Sequence, residues 1–171
     1  SDFTQEDVDI DFGTITKFSD GFSYALGFDG VDDQVLGTAS SSLDVSNTNK
    51  LTISAWVKPL ENPDLNKLGT IFAHTDNEIW YQYNLSIDSD RRLYFLSGTS
   101  SFESGGTNKS NGQLNLGEWN YVVMTYDDSE VRLYINGQID YTRQENDQFP
   151  DGYKGEILIG GLYGTQEFQG V

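Results

Sequence analysis

The chain has 171 residues, 27 of them acidic and 10 basic, with a formal net charge of −17. That balance leaves no basic stripe to displace counterions from a polyanion, so DNA, RNA and anionic membranes are poor partners. Cysteine is absent, which excludes disulfide frameworks, thiolate catalysis and Cys-type zinc sites together.

The length suits one domain. Hydrophobic residues at 36% and aromatics at 13% are too many for a disordered chain. Eighteen glycines against 3 prolines favour strands joined by tight turns over long helices. No apolar run approaches the ~18 residues of a membrane span, and none of these residues reads as a signal peptide. The chain opens at Ser1 on acidic polar residues, as a mature segment or an excised piece would. The charge as a whole reads as a solubility device, and local clusters of it as candidate divalent-cation sites.

In chain order, residues 1–12 read as an acidic lead-in or linker and 13–171 as the domain. Asp7, Asp9 and Asp11 with Gly13 imitate a calcium loop, but Gly should follow the third acidic residue directly, and Phe18 stands where a bidentate Glu belongs. Tyr24, Leu26 and Phe28 alternate with small residues up to Asp29-Gly30. This turn, with Asp32 and Asp33, is the best metal candidate. Calcium takes six to eight oxygens, and a glycine bend lets a carbonyl such as that of Gly30 turn inward. The competing reading has Asp29 and Asp33 capping the turn by their own hydrogen bonds.

Residues 51–57 alternate as a strand and stop at Lys58-Pro59, and 59–69 read as a loop. His74, the only histidine, reads as a strand-end or loop residue; no Gly-x-Ser-x-Gly elbow and no second histidine accompany it. Residues 80–87 alternate, Asp88-Ser89-Asp90 turns, and 92–96 form the next strand. With period two, Tyr83, Leu85, Ile87, Leu93 and Phe95 face the core, leaving Trp80, Gln82, Asn84, Arg92 and Tyr94 on the other side. Residues 97–113, rich in Ser, Gly, Asn and Thr, form a long loop. Residues 119–126 and 131–135 make a hairpin, and Asn136-Gly137 signals another. The same alternation places Arg132 and Tyr134 opposite Val131, Leu133 and Ile135. An aromatic beside amides and a guanidinium suits sugars, whose C–H faces stack while hydroxyls hydrogen-bond. The competing reading is an ordinary solvent face, or aromatics covered by a loop. Residues 157–159 form a last strand before Gly160-Gly161. The pattern is an all-β sandwich.

Four strings carry a resemblance: residues 25–33 (ALGFDGVDD), 51–59 (LTISAWVKP), 117–127 (GEWNYVVMTYD) and 132–137 (RLYING). In this order the chain resembles the laminin-G-like domains of the concanavalin A-like lectin/glucanase superfamily. The resemblance implies a two-sheet antiparallel jelly-roll sandwich in a secreted or surface protein of a bacterium, binding glycans or proteins, often with a structural calcium. It further implies a final strand, after Phe168 to Val171, whose acidic residue helps complete the metal site. The superfamily also contains retaining glucanases, which need paired carboxylates about 5 Å apart on a Glu-x-Asp-x-x-Glu strand; no such string occurs here. The expectation is therefore a non-catalytic, calcium-stabilised carbohydrate-binding module. Its ligand residues would be Trp80, Gln82, Asn84, Arg92, Tyr94, Arg132 and Tyr134, and its metal residues Asp29, Gly30, Asp32 and Asp33. An adhesive module contacting a surface protein is the alternative, and a glycoside hydrolase a weaker one.

Overall fold

The structure, a computed structural model, describes residues 8–10, 15–16, 25–65, 67–75, 81–97, 108–144, 149, 155–161 and 168–171. Among them are no helices and fifteen strands. In chain order these are β1 (Val8–Ile10), β2 (Ile15–Thr16), β3 (Ala25–Leu26), β4 (Phe28–Asp29), β5 (Val35–Thr38), β6 (Lys50–Val57), β7 (Gly69–Thr75) and β8 (Tyr81–Ile87). They continue with β9 (Leu93–Ser97), β10 (Asn108–Lys109), β11 (Asn120–Asp127), β12 (Glu130–Ile135), β13 (Gln138–Gln144), β14 (Glu156–Ile159) and β15 (Gln169–Gly170). Trp80, a sequence-predicted ligand residue, lies outside the described residues.

The strands build a seven-stranded sheet, β1-β5-β14-β7-β8-β9-β10, and a four-stranded sheet, β13-β12-β11-β6, with β15-β4 and β2-β3 as small pairs. Every pairing is antiparallel. Alternation explains how the two sheets stack. Tyr83, Leu85, Ile87, Leu93 and Phe95 from one sheet meet Ile53, Val57, Val122, Met124, Tyr126, Val131 and Leu133 from the other in a single core. Each such side chain contributes about 1.5–3 kcal/mol by leaving water. The expected two-sheet sandwich is the observed fold.

Turns between strands follow local chemistry. Asn136 and Gly137 have φ of 51° and 81°, the paired left-handed conformation that matches strand twist in a two-residue hairpin. The Asn136 side-chain oxygen also accepts from the Tyr121 backbone N–H at 2.8 Å, tying the turn to β11.

Several elements depart from the sequence reading. Within the expected lead-in, Val8–Ile10 forms β1, paired with β5 at the sheet edge. The 59–69 loop holds as far as its described residues go, with a turn closed by the Lys67 N–H on the Asp64 carbonyl at 3.0 Å, and only its last residue, Gly69, belongs to a strand, opening β7. That strand is buried along nearly its whole length, and His74, its next-to-last residue, is a strand-end residue as expected but fully buried. Asn108 and Lys109, inside the expected 97–113 loop, form β10.

Among the described residues, β6 is the outer strand of its sheet, paired only with β11. Just beyond β6, Lys58 and Val171 exchange backbone hydrogen bonds, Val171 N–H donating to the Lys58 carbonyl at 3.1 Å. No helix among the described residues is long and apolar enough to cross a membrane.

Candidate functional site

The residues expected to form one ligand face are divided between two sheets. On the seven-stranded sheet, Asn84 and Ser86 do point away from the core, beside Tyr94 of β9 in the Ser86–Tyr94 register. That side is closed: Asn84 and Ser86 are fully buried, and Tyr94 packs with Leu68 and Leu96 in a second apolar cluster. Ser86 Oγ donates to Asn84 Oδ1, while Asn84 Nδ2 has no hydrogen-bond partner. Burial, with Asp88 adding to it, raises the Tyr94 phenol above its ordinary value. Arg92 precedes β9; its backbone N–H donates to Asp88 Oδ1 at 2.9 Å, and its Nε is buried without a partner.

Gln82 does not share that face. The β7–β8 register steps between His74 and Thr75, so Gln82 is an extra residue in β8. Such a bulge breaks the period-two alternation. The Gln82 side chain joins a buried relay instead. His74 Nδ1 donates to Gln82 Oε1 at 2.8 Å, and Gln82 Nε2 donates to Asp44 Oδ1 at 2.8 Å. Tyr83, whose ring lies 5.1 Å from that of His74, donates through its hydroxyl to the Leu43 carbonyl at 3.0 Å. Burial holds the His74 imidazole below its ordinary pKa, against the opposing pull of Gln82 and Asp44. Hydrogen bonds from Ser46, then Gln82, lower the Asp44 carboxyl, and burial pushes the Tyr83 phenol up to about 12.

Arg132 and Tyr134 stand on the solvent face of the four-stranded sheet. The register there aligns Thr52 and Arg132 on either side of Thr125, and Ser54 and Tyr134 on either side of Val123. A shallow groove of about 410 Å3 runs over this face, lined by Lys50, Thr52, Thr125, Asp127, Arg132 and Tyr134 among others. Arg132 Nη1 donates to Asp127 Oδ2 at 3.3 Å, and its Nη2 pairs with Glu130 Oε1. Desolvation works to raise the Asp127 carboxyl, but Ser129 and Arg132 outweigh it and hold the group below its usual value. The groove thus offers the Thr52 hydroxyl, a fixed guanidinium, a carboxylate and a phenol ring, while the Thr125 hydroxyl oxygen is buried beneath it. Sequence reasoning found Arg132 and Tyr134 but missed Thr52, Thr125, Lys50 and Asp127. Alternation already turned the two threonines outward; the cross-strand register that gathers them is set by the 127–130 turn and the long β6–β11 ladder.

The acidic turn brings three carboxylates together and also makes the capping hydrogen bonds of the competing reading. Carboxylate oxygens of Asp29, Asp32 and Asp33 can lie within 4.8 Å of one another. Asp29 Oδ1 accepts from the Val31 N–H at 2.8 Å, and Asp33 Oδ2 accepts from the Asp29 N–H at 2.9 Å. These bonds occupy one oxygen of each carboxylate and leave the other, with both of Asp32, for a cation. Gly30 has φ of 79°, and a side chain there would meet Gln169 Cβ at 2.8 Å, so the turn sits tightly on β15. An all-oxygen set in a glycine bend fits a hard divalent ion such as calcium, with waters or carbonyls completing the shell.

Domain 4 of AbnA, an extracellular arabinanase of the GH43 type from Geobacillus stearothermophilus, solved in complex with arabinotriose, superposes with a TM-score of 0.63 at 19% identity, over 92% of this chain and 71% of that one. The CBM40 of the Ruminococcus gnavus IT-sialidase, bound to α2,3 sialyllactose, superposes with a TM-score of 0.59 at 13% identity, over 85% and 83%. The binding domain of Paraclostridial Mosquitocidal Protein 1 gives 0.65 at 17% identity, over 95% of this chain and 42% of that one. At such identities the likeness is one of fold. No curated protein sequence matches the chain. The family model described as the concanavalin A-like lectin/glucanases superfamily matches residues 29–171, most of the chain. This protein belongs to that superfamily.

Proposed function

We propose that this domain is a non-catalytic, lectin-like carbohydrate-binding module acting outside the cell, with calcium held by Asp29, Asp32 and Asp33 as a structural ion. The observation that carries the reading is the groove over β6, β11 and β12, where Tyr134 stands beside Arg132, Thr52 and Thr125 on an open face. An aromatic ring stacks on sugar C–H groups while hydroxyls and a guanidinium satisfy sugar oxygens. The arabinotriose and sialyllactose held by two proteins of like fold support the same chemistry. Calcium would act at a distance from the sugar. By joining the Asp29–Asp33 turn it would stiffen the β4–β15 pairing, where Asp29 stands opposite Gln169.

The test is affinity electrophoresis of the domain on a panel of soluble polysaccharides, with the Tyr134→Ala and Arg132→Ala variants run beside it. Retention on one glycan class is expected, weakened about tenfold by Tyr134→Ala, the scale of a lost stacking contact of about 1.4 kcal/mol. Retention on no glycan, or retention that both variants keep, overturns the reading and turns attention to protein partners.

A further inference from the structure

Large aromatic side chains on the open face of a sheet call for a reason, and this face carries a pair of them. Trp56 of β6 is 50% exposed and pairs across the ladder with Tyr121 of β11. Their ring centroids lie 5.1 Å apart with a 37° tilt. Both residues turn outward on the same two strands that carry Thr52 and Thr125. The ladder aligns the face in three rows: Trp56 with Tyr121, then Ser54 with Val123 and Tyr134, then Thr52 with Thr125 and Arg132. Four residues along a strand span about 13 Å, so the aromatic pair lies on the same face beyond the end of the groove, along the strand direction.

The charge at the groove is balanced. Arg132 is already paired with Asp127 and Glu130, and Glu130 also accepts from Gln144 at 2.7 Å. Lys50 adds one more cation at the rim. Two cations and two carboxylates cancel locally, while the chain as a whole carries −17. An anionic sugar would meet a guanidinium already neutralised, inside a repulsive overall field.

Building on the glycan reading above, we infer that Trp56 and Tyr121 form a second, stacking subsite beyond the end of that groove, and that the ligand is an uncharged, linear glycan lying along β6 and β11 across all three rows. A cross-strand aromatic pair can also serve the sheet alone. The two roles separate by experiment, because only a subsite makes affinity depend on ligand length.

The test is calorimetric titration of the whole chain with cello-, xylo- and manno-oligosaccharides from disaccharide to hexasaccharide, with oligogalacturonides as the acidic counterpart. Affinity should climb at least about tenfold from disaccharide to tetrasaccharide in one neutral series and then level, with oligogalacturonides not binding. Trp56→Ala should erase the climb while leaving disaccharide affinity within about twofold, and Trp56→Phe should restore part of it. Tyr121→Leu, which keeps apolar bulk over the sheet, serves if Trp56→Ala melts early. Length-independent affinity, a climb that survives both aromatic variants, or oligogalacturonides binding as tightly as neutral chains would each overturn this inference and leave the Tyr134 site standing. No binding by any series would remove the glycan reading and this inference with it.

Discussion

His74 is the only histidine in the chain, and it is fully buried with its Nδ1–H given to Gln82. Its pKa is lower folded than unfolded, so the unfolded chain binds the proton first as pH falls. Stability from this group is therefore complete above the ordinary histidine value of about 6.5 and is lost as pH drops below it toward the folded value. Asp44, whose pKa is also lowered, adds a second loss at lower pH, below the ordinary carboxylate value near 3.8. Melting curves between pH 7.5 and 4.5 should show a falling midpoint that flattens in His74→Asn. A midpoint constant over that window would refute a buried neutral imidazole. This relay was illegible in the sequence for a definite reason. A strict period of two assigns Gln82 to the face of Asn84, but one inserted residue in β8 reverses it, and nothing in the Trp-Tyr-Gln-Tyr string marks where a bulge falls.

The elements most readable in advance are those buried on one face only. β6, β11 and β12 alternate cleanly, and the Asn136-Gly137 turn between β12 and β13 is placed by the left-handed conformation both residues adopt. That turn gives a clean substitution. Gly137→Ala meets no neighbouring atom within 4 Å, so its cost comes from backbone conformation alone, about 1 kcal/mol at φ of 81°. The expected change is a fall in melting midpoint of about 2–4 °C, and an unchanged midpoint would argue against the left-handed turn. β7 shows the opposite case. Buried on both faces, with the polar Thr70, His74 and Thr75 among its buried positions, it has neither alternation nor an unbroken apolar run to betray it. The ligand residues suffered similarly. Alternation told which way Asn84, Tyr94, Arg132 and Tyr134 point, yet not that two belong to one sheet and two to the other, because strand order is a tertiary property.

At the scale of the molecule, the acidic turn joins the early part of the chain to its last residues through the Asp29–Gln169 pairing. A cation there would bind only the folded form. At about a hundredfold excess over Kd it would add about 2.7 kcal/mol, enough to move the melting midpoint by several degrees. Millimolar calcium after EDTA treatment should produce that shift, and Asp32→Asn with Asp33→Asn should abolish it. A midpoint indifferent to both calcium and EDTA would discard the ion.

The same closure of early strands by late ones governs how the domain is made. β5 stands between β1 and β14, and Thr38 pairs with Glu156, so the early strands of the larger sheet wait for a partner synthesised more than a hundred residues later. At about 5–20 residues per second, a ribosome takes on the order of ten seconds to deliver it. During that interval β5 has an unpaired edge and Leu36 no Leu158 to cover it. Until β14 emerges, that edge and the edge of β7 stay open to chaperones or to a neighbouring nascent chain, and only then are β1-β5 and β7-β8-β9-β10 joined into one sheet.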